Sequence, residues 1–226
     1  MPHAIDHEAL VTRIAERRGG VRSIFGRPDP KRTAHIVVDM QNGFMEPGAP
    51  VEVPMAREVV DEINQISAAV RAAGGINVFL RYTTADGDTA WPVFMERMGA
   101  GAAPHREAFT PGNPYWQLWP TLDVASTDLV IEKRRFSGFT PGTCPLHQAL
   151  QERGIDTLIV TGTLTNCCCE STVRDAMQHN YKVLMATDAN AALTDEEHEA
   201  TLYSLGWIFA DLYTTEEVVT MLGGDN

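Results

Sequence analysis

Short apolar runs alternate with segments of helical periodicity along most of the chain. Residues 35–39 read His-Ile-Val-Val-Asp, a run typical of a parallel strand that is buried on both faces. The next apolar positions recur at helical spacing and stop at two glycines: Val59, Ile63, Ile66, Val70, Gly74 and Gly75. The alternation predicts six strands, at residues 35–39, 76–80, 129–132, 157–161, 182–187 and 208–212. This order of elements predicts an α/β fold with a mainly parallel six-stranded sheet covered by helices on both faces.

Two segments depart from this alternation. Residues 1–34 are predicted to form an N-terminal extension, and residues 35–226 to form the single α/β domain. The aromatic segment, residues 83–127, is rich in proline and contains three of the four tryptophans. Long irregular segments inside compact domains are usually functional loops or lids. Two roles are therefore left open for the aromatic side chains of this segment: contact with a substrate, or packing in a lid or subunit interface.

Charge and composition narrow the class of partner. The chain has 226 residues and a net charge of -12, which disfavours binding to nucleic acid or to anionic membranes. No apolar run approaches the ~20 residues that span a bilayer, and the N-terminal region lacks the apolar stretch of a secretory signal. We therefore expect a cytoplasmic protein that acts on a small molecule.

The four cysteines support the same compartment. They are Cys144, Cys167, Cys168 and Cys169, and neighbours along a chain do not normally form an unstrained disulfide. A chain with no disulfide framework and no export signal is typical of the cytosol.

Three chemically complementary residue types fall at the ends of predicted strands. Asp39 ends the first, Lys133 follows the third, and Cys167 to Cys169 follow the fourth and open a helix. The carboxyl ends of parallel strands share one edge of the sheet, where active sites gather. A cysteine in a first helical turn near a lysine favours the thiolate, and a carboxylate can accept its proton. Each residue alone has a structural explanation, but the three together predict a nucleophilic hydrolase.

Three motifs resemble those of the isochorismatase-like cysteine hydrolases. They are Ile-Val-Val-Asp-Met-Gln-Asn at 36–42, Ile-Glu-Lys with Phe-Ser-Gly-Phe at 131–139, and the block at 160–176 around the cysteines. The likeness covers roughly residues 33–215. The family pattern Gly-x-x-Thr-x-x-Cys selects Cys168 as the nucleophile, and leaves side-chain packing as the expected use of Cys167 and Cys169.

The resemblance implies a three-layer α/β/α fold and a catalytic triad of Asp39, Lys133 and Cys168. It also implies a cis peptide bond between Thr163 and Leu164. That bond would direct the Leu164 N–H, together with the Cys168 N–H, towards a developing oxyanion. Dimers or tetramers are common in such a family, and we expect a homodimer or a homotetramer.

The expected reaction is cleavage of the C–N bond of a small amide, ureido or N-carbamoyl substrate through a Cys168 thioester. The motif pattern is most similar to that of ureidoacrylate amidohydrolase-type amidases. Two alternatives stay open. One is vinyl-ether hydrolysis of the isochorismatase type, and the other is a catalytically silent family member that binds a metabolite or a protein partner.

No cofactor and no metal are predicted. A dinucleotide-binding G-x-G-x-x-G is missing after the first strand. Nicotinamidases, which resemble the chain at the triad, carry histidine metal ligands where this sequence has Asp86 and Asp88 in a glycine-containing loop. The candidate substrate contacts are aromatic: Phe44, Tyr82, Trp91, Tyr115, Trp116 and Phe139.

Overall fold

The computed structural model describes residues 3–84 and 91–223 and contains one sheet of six parallel strands. Their order across the sheet is β3-β2-β1-β4-β5-β6, so the first and fourth strands are central. The strands are β1 Thr33–Val38, β2 Ile76–Tyr82, β3 Leu129–Lys133, β4 Thr157–Thr163, β5 Lys182–Ala191 and β6 Asp211–Tyr213. The predicted parallel sheet is confirmed. Only the last strand begins later than predicted, because Ile208 still belongs to the preceding helix.

Helices cover both faces of this sheet. Those of the described residues are α1 His7–Arg17, α2 Asn42–Met45, α3 Val60–Ala72, α4 Pro92–Met98, α5 Ala102–Ala108, α6 Leu146–Gln151, α7 Glu170–Gln178, α8 Asp195–Ile208 and α9 Thr215–Leu222. Buried side chains of α6, α7 and α8 pack on one face, and those of α3 and α9 pack on the other. The three-layer α/β/α architecture is therefore confirmed.

Strand β1 shows why the central strands are continuously apolar. Ile36 and Val38 belong to the core on the α7 face, whereas Val37 belongs to the core on the α3 face. Because successive side chains of a strand point to opposite faces, a sheet buried on both sides needs apolar residues at every position. All six residues of β1 are buried.

The carboxyl ends of β1 and β4 approach each other closely at Gly162. This glycine pairs with Val38 and has φ 114°, a conformation that other residues rarely adopt. A Cβ atom at this position would overlap the Val38 carbonyl group. The close approach brings the residue after β1 and the turn after β4 to one place on the sheet edge.

The N-terminal extension packs against the domain. Asp6 caps α1 by accepting a hydrogen bond from the Ala9 N–H, and Leu10, Val11 and Ile14 are buried in the core next to α8. Gly206 of α8 faces this helix, and a side chain there would meet the end of Ile14. Helix α1 therefore belongs to the helical layer that contains α8.

The aromatic segment is more regular than its sequence indicates. Its described part contains α4, α5 and a 3-10 turn at Pro114–Trp116. Proline occupies the first turn of α4 and of the 3-10 turn, where a missing N–H costs no hydrogen bond.

Among the described residues, no helix has both the length and the apolar character needed to cross a bilayer.

Candidate active site

A buried ion pair lies at the carboxyl edge of the sheet. Asp39 follows β1 and Lys133 ends β3, and the Lys133 Nζ lies 2.7 Å from the Asp39 Oδ2. Both side chains are 0% exposed, and Nζ also donates a hydrogen bond to the Arg135 carbonyl oxygen. Asp39 has φ 53°, a left-handed conformation that aspartate tolerates better than most residues. This geometry turns its carboxylate into the edge of the sheet, towards the lysine.

Burial and charge oppose each other in this pair. Burial raises the pKa of Asp39, whereas the Lys133 ammonium and the Cys168 thiol lower it, and the net pKa is above the ordinary value. Burial lowers the pKa of Lys133, but the charges of Asp39 and Cys168 outweigh this effect and the net pKa is raised. The lysine therefore stays charged, while the carboxylate keeps an increased affinity for a proton.

The candidate nucleophile lies in a π-helical turn, Thr165–Cys169, between β4 and α7. The expected regular α-helix over this stretch is thus corrected, because the Cys169 N–H reaches back to the Leu164 carbonyl oxygen at 3.1 Å. Cys168 is 6% exposed. A hydrogen bond with the Cys167 thiol and burial both raise the pKa of Cys168, and Lys133 lowers it. Both of the first two effects make the Cys168 thiol hold its proton more tightly, so the expected proton transfer to Asp39 is needed for attack.

The backbone before this turn has the geometry that the resemblance implies. The peptide bond between Thr163 and Leu164 is cis. Leu164 and Cys168, the two residues expected to donate to the oxyanion, both line the same cavity.

The cavity beside Cys168 has a volume of about 260 Å³. Its wall is almost entirely apolar. Phe44 and Tyr82, two of the aromatic residues expected to contact substrate, line it. The wall also contains Phe94, Met98, His105, Phe136, Cys167 and Leu193.

The structure places the tryptophan candidates outside this lining. Trp91 stacks on Phe94 with ring centroids 4.4 Å apart and meets the edge of Phe136 at 4.7 Å. Trp91 therefore packs against two residues of the cavity wall. The Trp116 indole donates a hydrogen bond to Thr83, and the Arg81 guanidinium lies 3.4 Å from its ring centroid. Trp116 lies outside the lining of the Cys168 cavity, so its role as a substrate contact stays a prediction.

Tyr115 and Phe139 also lie outside this lining, and their roles as substrate contacts stay predictions. Tyr115 packs against the core on the α3 face, and its carbonyl oxygen lies close to Gly43. Phe139 is buried on the opposite face of the sheet, where its ring lies 5.5 Å from those of His179 and Tyr181. Among the described residues, neither belongs to the wall of the Cys168 cavity.

Val51, Glu52, Val53 and Leu193 were not selected from the sequence, and neither were four further wall residues: Phe94, Met98, His105 and Phe136. Phe136 is the first residue of the Phe-Ser-Gly-Phe motif, of which the sequence analysis names only the last, Phe139, as a substrate contact. The other three lie on α4 and α5, and no signal in the sequence predicts which face of these short helices meets Cys168.

Phe139 lines a second cavity, of about 680 Å³. It also contains Glu132, Arg134, Cys144 and His147. Burial raises the pKa of Cys144 to about 11.

One set of three described groups has the spacing of metal ligands: His7, Glu8 and Glu217. Arg22 already bonds both carboxylates, at 2.8 and 3.2 Å, so a guanidinium occupies the place of a cation. Asp86 and Asp88, which stand in the sequence where nicotinamidases have metal ligands, lie outside the described residues.

Comparison with known proteins assigns the same region to one family. A family model described as the isochorismatase domain matches residues 33–217. The ureidoacrylate amidohydrolase RutB of Pseudomonas savastanoi pv. phaseolicola is 32% identical, covering 83% of this chain and 86% of that protein. The isochorismatase family protein YwoC of Bacillus subtilis is 31% identical, covering 84% and 93%.

Solved structures agree with this assignment. A cysteine hydrolase from Pseudomonas syringae pv. phaseolicola superposes with a TM-score of 0.81 at 29% identity, covering 87% of this chain and 95% of that one. An N-carbamoylsarcosine amidase from Thermoplasma acidophilum, at 23% identity and a TM-score of 0.68, shares the fold.

Proposed function

The chain belongs to the isochorismatase family of hydrolases, and on that basis we propose that it cleaves the C–N bond of a small amide, ureido or N-carbamoyl substrate. The observation that carries this proposal is the buried Asp39–Lys133 pair, which interacts with the Cys168 thiol at the wall of a cavity. The pair supplies a base whose pKa is raised, and the cavity supplies room for a small acyl group.

In the proposed reaction, Asp39 accepts the Cys168 thiol proton as the sulfur attacks the substrate carbonyl carbon. The N–H groups of Leu164 and Cys168 donate hydrogen bonds to the resulting oxyanion. Protonated Asp39 then gives its proton to the leaving nitrogen, the C–N bond breaks, and a thioester remains. Asp39 next deprotonates a water that hydrolyses the thioester, and the thiol is regenerated.

Lys133 has two tasks in this scheme. Its fixed positive charge stabilises the developing thiolate, and it holds the Asp39 carboxylate in one orientation. Both effects are strong because the ion pair is removed from water. The amide chemistry is supported by a relative, since a protein named as a ureidoacrylate amidohydrolase is 32% identical over most of the chain.

An ammonia-release screen over small amides, ureido acids and N-carbamoyl compounds tests the proposal. At least one compound should be hydrolysed, and Cys168→Ala should lower turnover by on the order of 10³-fold or more, because the nucleophile is removed. Cys144→Ala, at the thiol of the second cavity, is the matched control and should stay active.

Isochorismate serves as the contrasting substrate. Pyruvate release from isochorismate with no ammonia from any amide would replace the proposal with vinyl-ether hydrolysis. Full activity of Cys168→Ala with loss in Cys167→Ala would move the nucleophile to the neighbouring thiol.

A further inference from the structure

The wall of the Cys168 cavity carries an unusual charge distribution for a site that must hold a small polar molecule. Glu52 is the charged side chain of the described lining. Its carboxylate accepts hydrogen bonds from the Gly48 N–H at 2.8 Å and from Arg57 at 2.9 Å, and these bonds lower its pKa. Glu52 therefore stays negative and paired with Arg57, so this pair gives a negatively charged ligand no net attraction.

Basic residues are missing from this wall. No lysine or arginine is among the described residues that line the cavity. The undescribed segment 85–90 cannot supply one, because it reads Ala-Asp-Gly-Asp-Thr-Ala. A substrate carboxylate would enter an apolar cavity without a cation to pair with, which is strongly unfavourable.

One polar side chain in the wall has no use inside the chain. His105 of α5 is 5% exposed, and neither ring nitrogen has a hydrogen-bond partner among the described residues. Aromatic rings surround it, with the centroids of Tyr82, Phe94 and Phe109 between 5.1 and 5.3 Å away. Buried polar groups in proteins are normally paired, so an unpaired one beside a cavity calls for a partner from the ligand.

The ionisation state of His105 defines what it can recognise. Burial lowers the pKa of His105 to about 4, so the ring is neutral at pH 7. A neutral imidazole offers one N–H donor and one nitrogen acceptor. It can therefore pair with an uncharged hydroxyl, amino or carbonyl group, but it supplies no charge to balance a carboxylate.

We propose that His105 hydrogen-bonds the substrate within the Cys168 cavity, and that the substrate is a small uncharged amide whose apolar body carries one polar group besides the amide. The inference rests on the proposed function, because it places the scissile amide at Cys168. The volume of about 260 Å³ lies just below the usual range of ligand pockets and fits a body of about one ring. The predicted substrate thus differs from a ureidoacrylate, which carries a carboxylate.

Ligand binding tests this inference without relying on turnover. The probes are benzamide, its three hydroxy isomers and its 3- and 4-carboxy derivatives, titrated calorimetrically into Cys168→Ala. The isomers sample the position of the polar group. One hydroxy isomer should bind about tenfold more tightly than benzamide, the gain expected for pairing a buried polar group. Both carboxy derivatives should bind more weakly than benzamide.

Changes at His105 identify the residue responsible. Combined with Cys168→Ala, His105→Phe should abolish the preference, measured as the ratio of the affinities for the hydroxy isomer and for benzamide. His105→Gln keeps a donor and an acceptor and should retain part of the preference. His147→Phe makes the same substitution in the second cavity and should leave the preference unchanged.

Several results would overturn the inference. They are an unchanged hydroxy preference in His105→Phe, the absence of any such preference in Cys168→Ala, tighter binding of a carboxy derivative than of benzamide, or no binding of any probe. The proposed function fails in a different way: the binding preferences hold, but the unmodified protein releases no ammonia from any amide.

Discussion

Two of the cavities among the described residues are lined by cysteines, and they differ in the groups that surround the thiols. The Cys144 cavity, at about 680 Å³, is larger than the Cys168 cavity, at about 260 Å³, and is lined by more charged and polar side chains. What distinguishes the smaller one is the buried acid–base pair of Asp39 and Lys133 beneath its thiol. Size and polarity therefore identify a site less well than the partners of its reactive group.

Two consecutive residues show how the fold creates this difference. Lys133 ends β3 and points into the interior, whereas Arg134, the next residue, is exposed and lines the Cys144 cavity. Lys133 is thus held beside Asp39 in the interior, and Arg134 is held at the wall of the Cys144 cavity. The lysine is paired with Asp39 away from water, whereas solvent screens the charge of the exposed arginine.

The largest expected effect is the loss of stability on substitution of Lys133, and substitution of Arg134 provides the comparison. Lys133→Ala leaves the Asp39 carboxylate buried without its partner and should lower the free energy of unfolding by about 3–5 kcal/mol. Arg134→Ala should change it by less than about 1 kcal/mol, because interactions of exposed charged side chains contribute little to stability. Urea unfolding followed by circular dichroism measures both, and equal losses would refute the contrast.

Alkylation should separate the two thiols by their response to pH. Asp39 can accept the Cys168 proton only when it is ionised, so labelling by iodoacetamide should rise with pH through the raised pKa of Asp39 and then level off. Cys144, with a pKa of about 11, should label about tenfold faster with each pH unit up to that value. Peptide mass spectrometry resolves the two sites.

Asp39→Asn provides the control for this experiment. It should slow labelling of Cys168 and leave that of Cys144 unchanged. Parallel pH profiles for the two cysteines would show that Cys168 has no base.

The smallest effect concerns one phenylalanine from each cavity. Phe44→Leu reshapes the wall beside Cys168, so KM should rise several-fold with little loss of stability. Phe139→Leu alters a buried ring of the second cavity, so stability should fall by about 1 kcal/mol with KM unchanged. Steady-state kinetics measures KM and thermal unfolding measures stability. An equal rise of KM in Phe139→Leu would show that the second cavity also affects substrate binding.

The positions of the three candidate catalytic residues were predictable because each depends on local sequence. Asp39 and Lys133 directly end apolar runs, and the edge they share follows from the parallel order of the strands. The position of Cys168 after β4 follows from the same rule. Strand lengths were less accessible: β5 continues to Ala191, past a register shift opposite β4 that leaves no signal in its apolar pattern.

The substrate wall could not be predicted in the same way. Trp91 and Phe94 lie three residues apart in one segment with similar composition, yet only Phe94 lines the cavity. Phe136 and Phe139 are likewise three residues apart and serve different cavities. Which ring faces the ligand depends on how α4 and α5 dock, and long-range packing of short helices is not encoded in local periodicity.

The position of the lysines has a practical consequence for attaching the protein to a solid support. The chain has three, Lys31, Lys133 and Lys182. Lys133 is fully buried, whereas Lys31 and Lys182 are exposed and lie just before β1 and at the start of β5. Both accessible lysines are thus at the amino edge of the sheet, opposite the edge that carries Asp39 and Cys168. A resin that couples to lysine amines would hold the molecule with its cavity facing the solution.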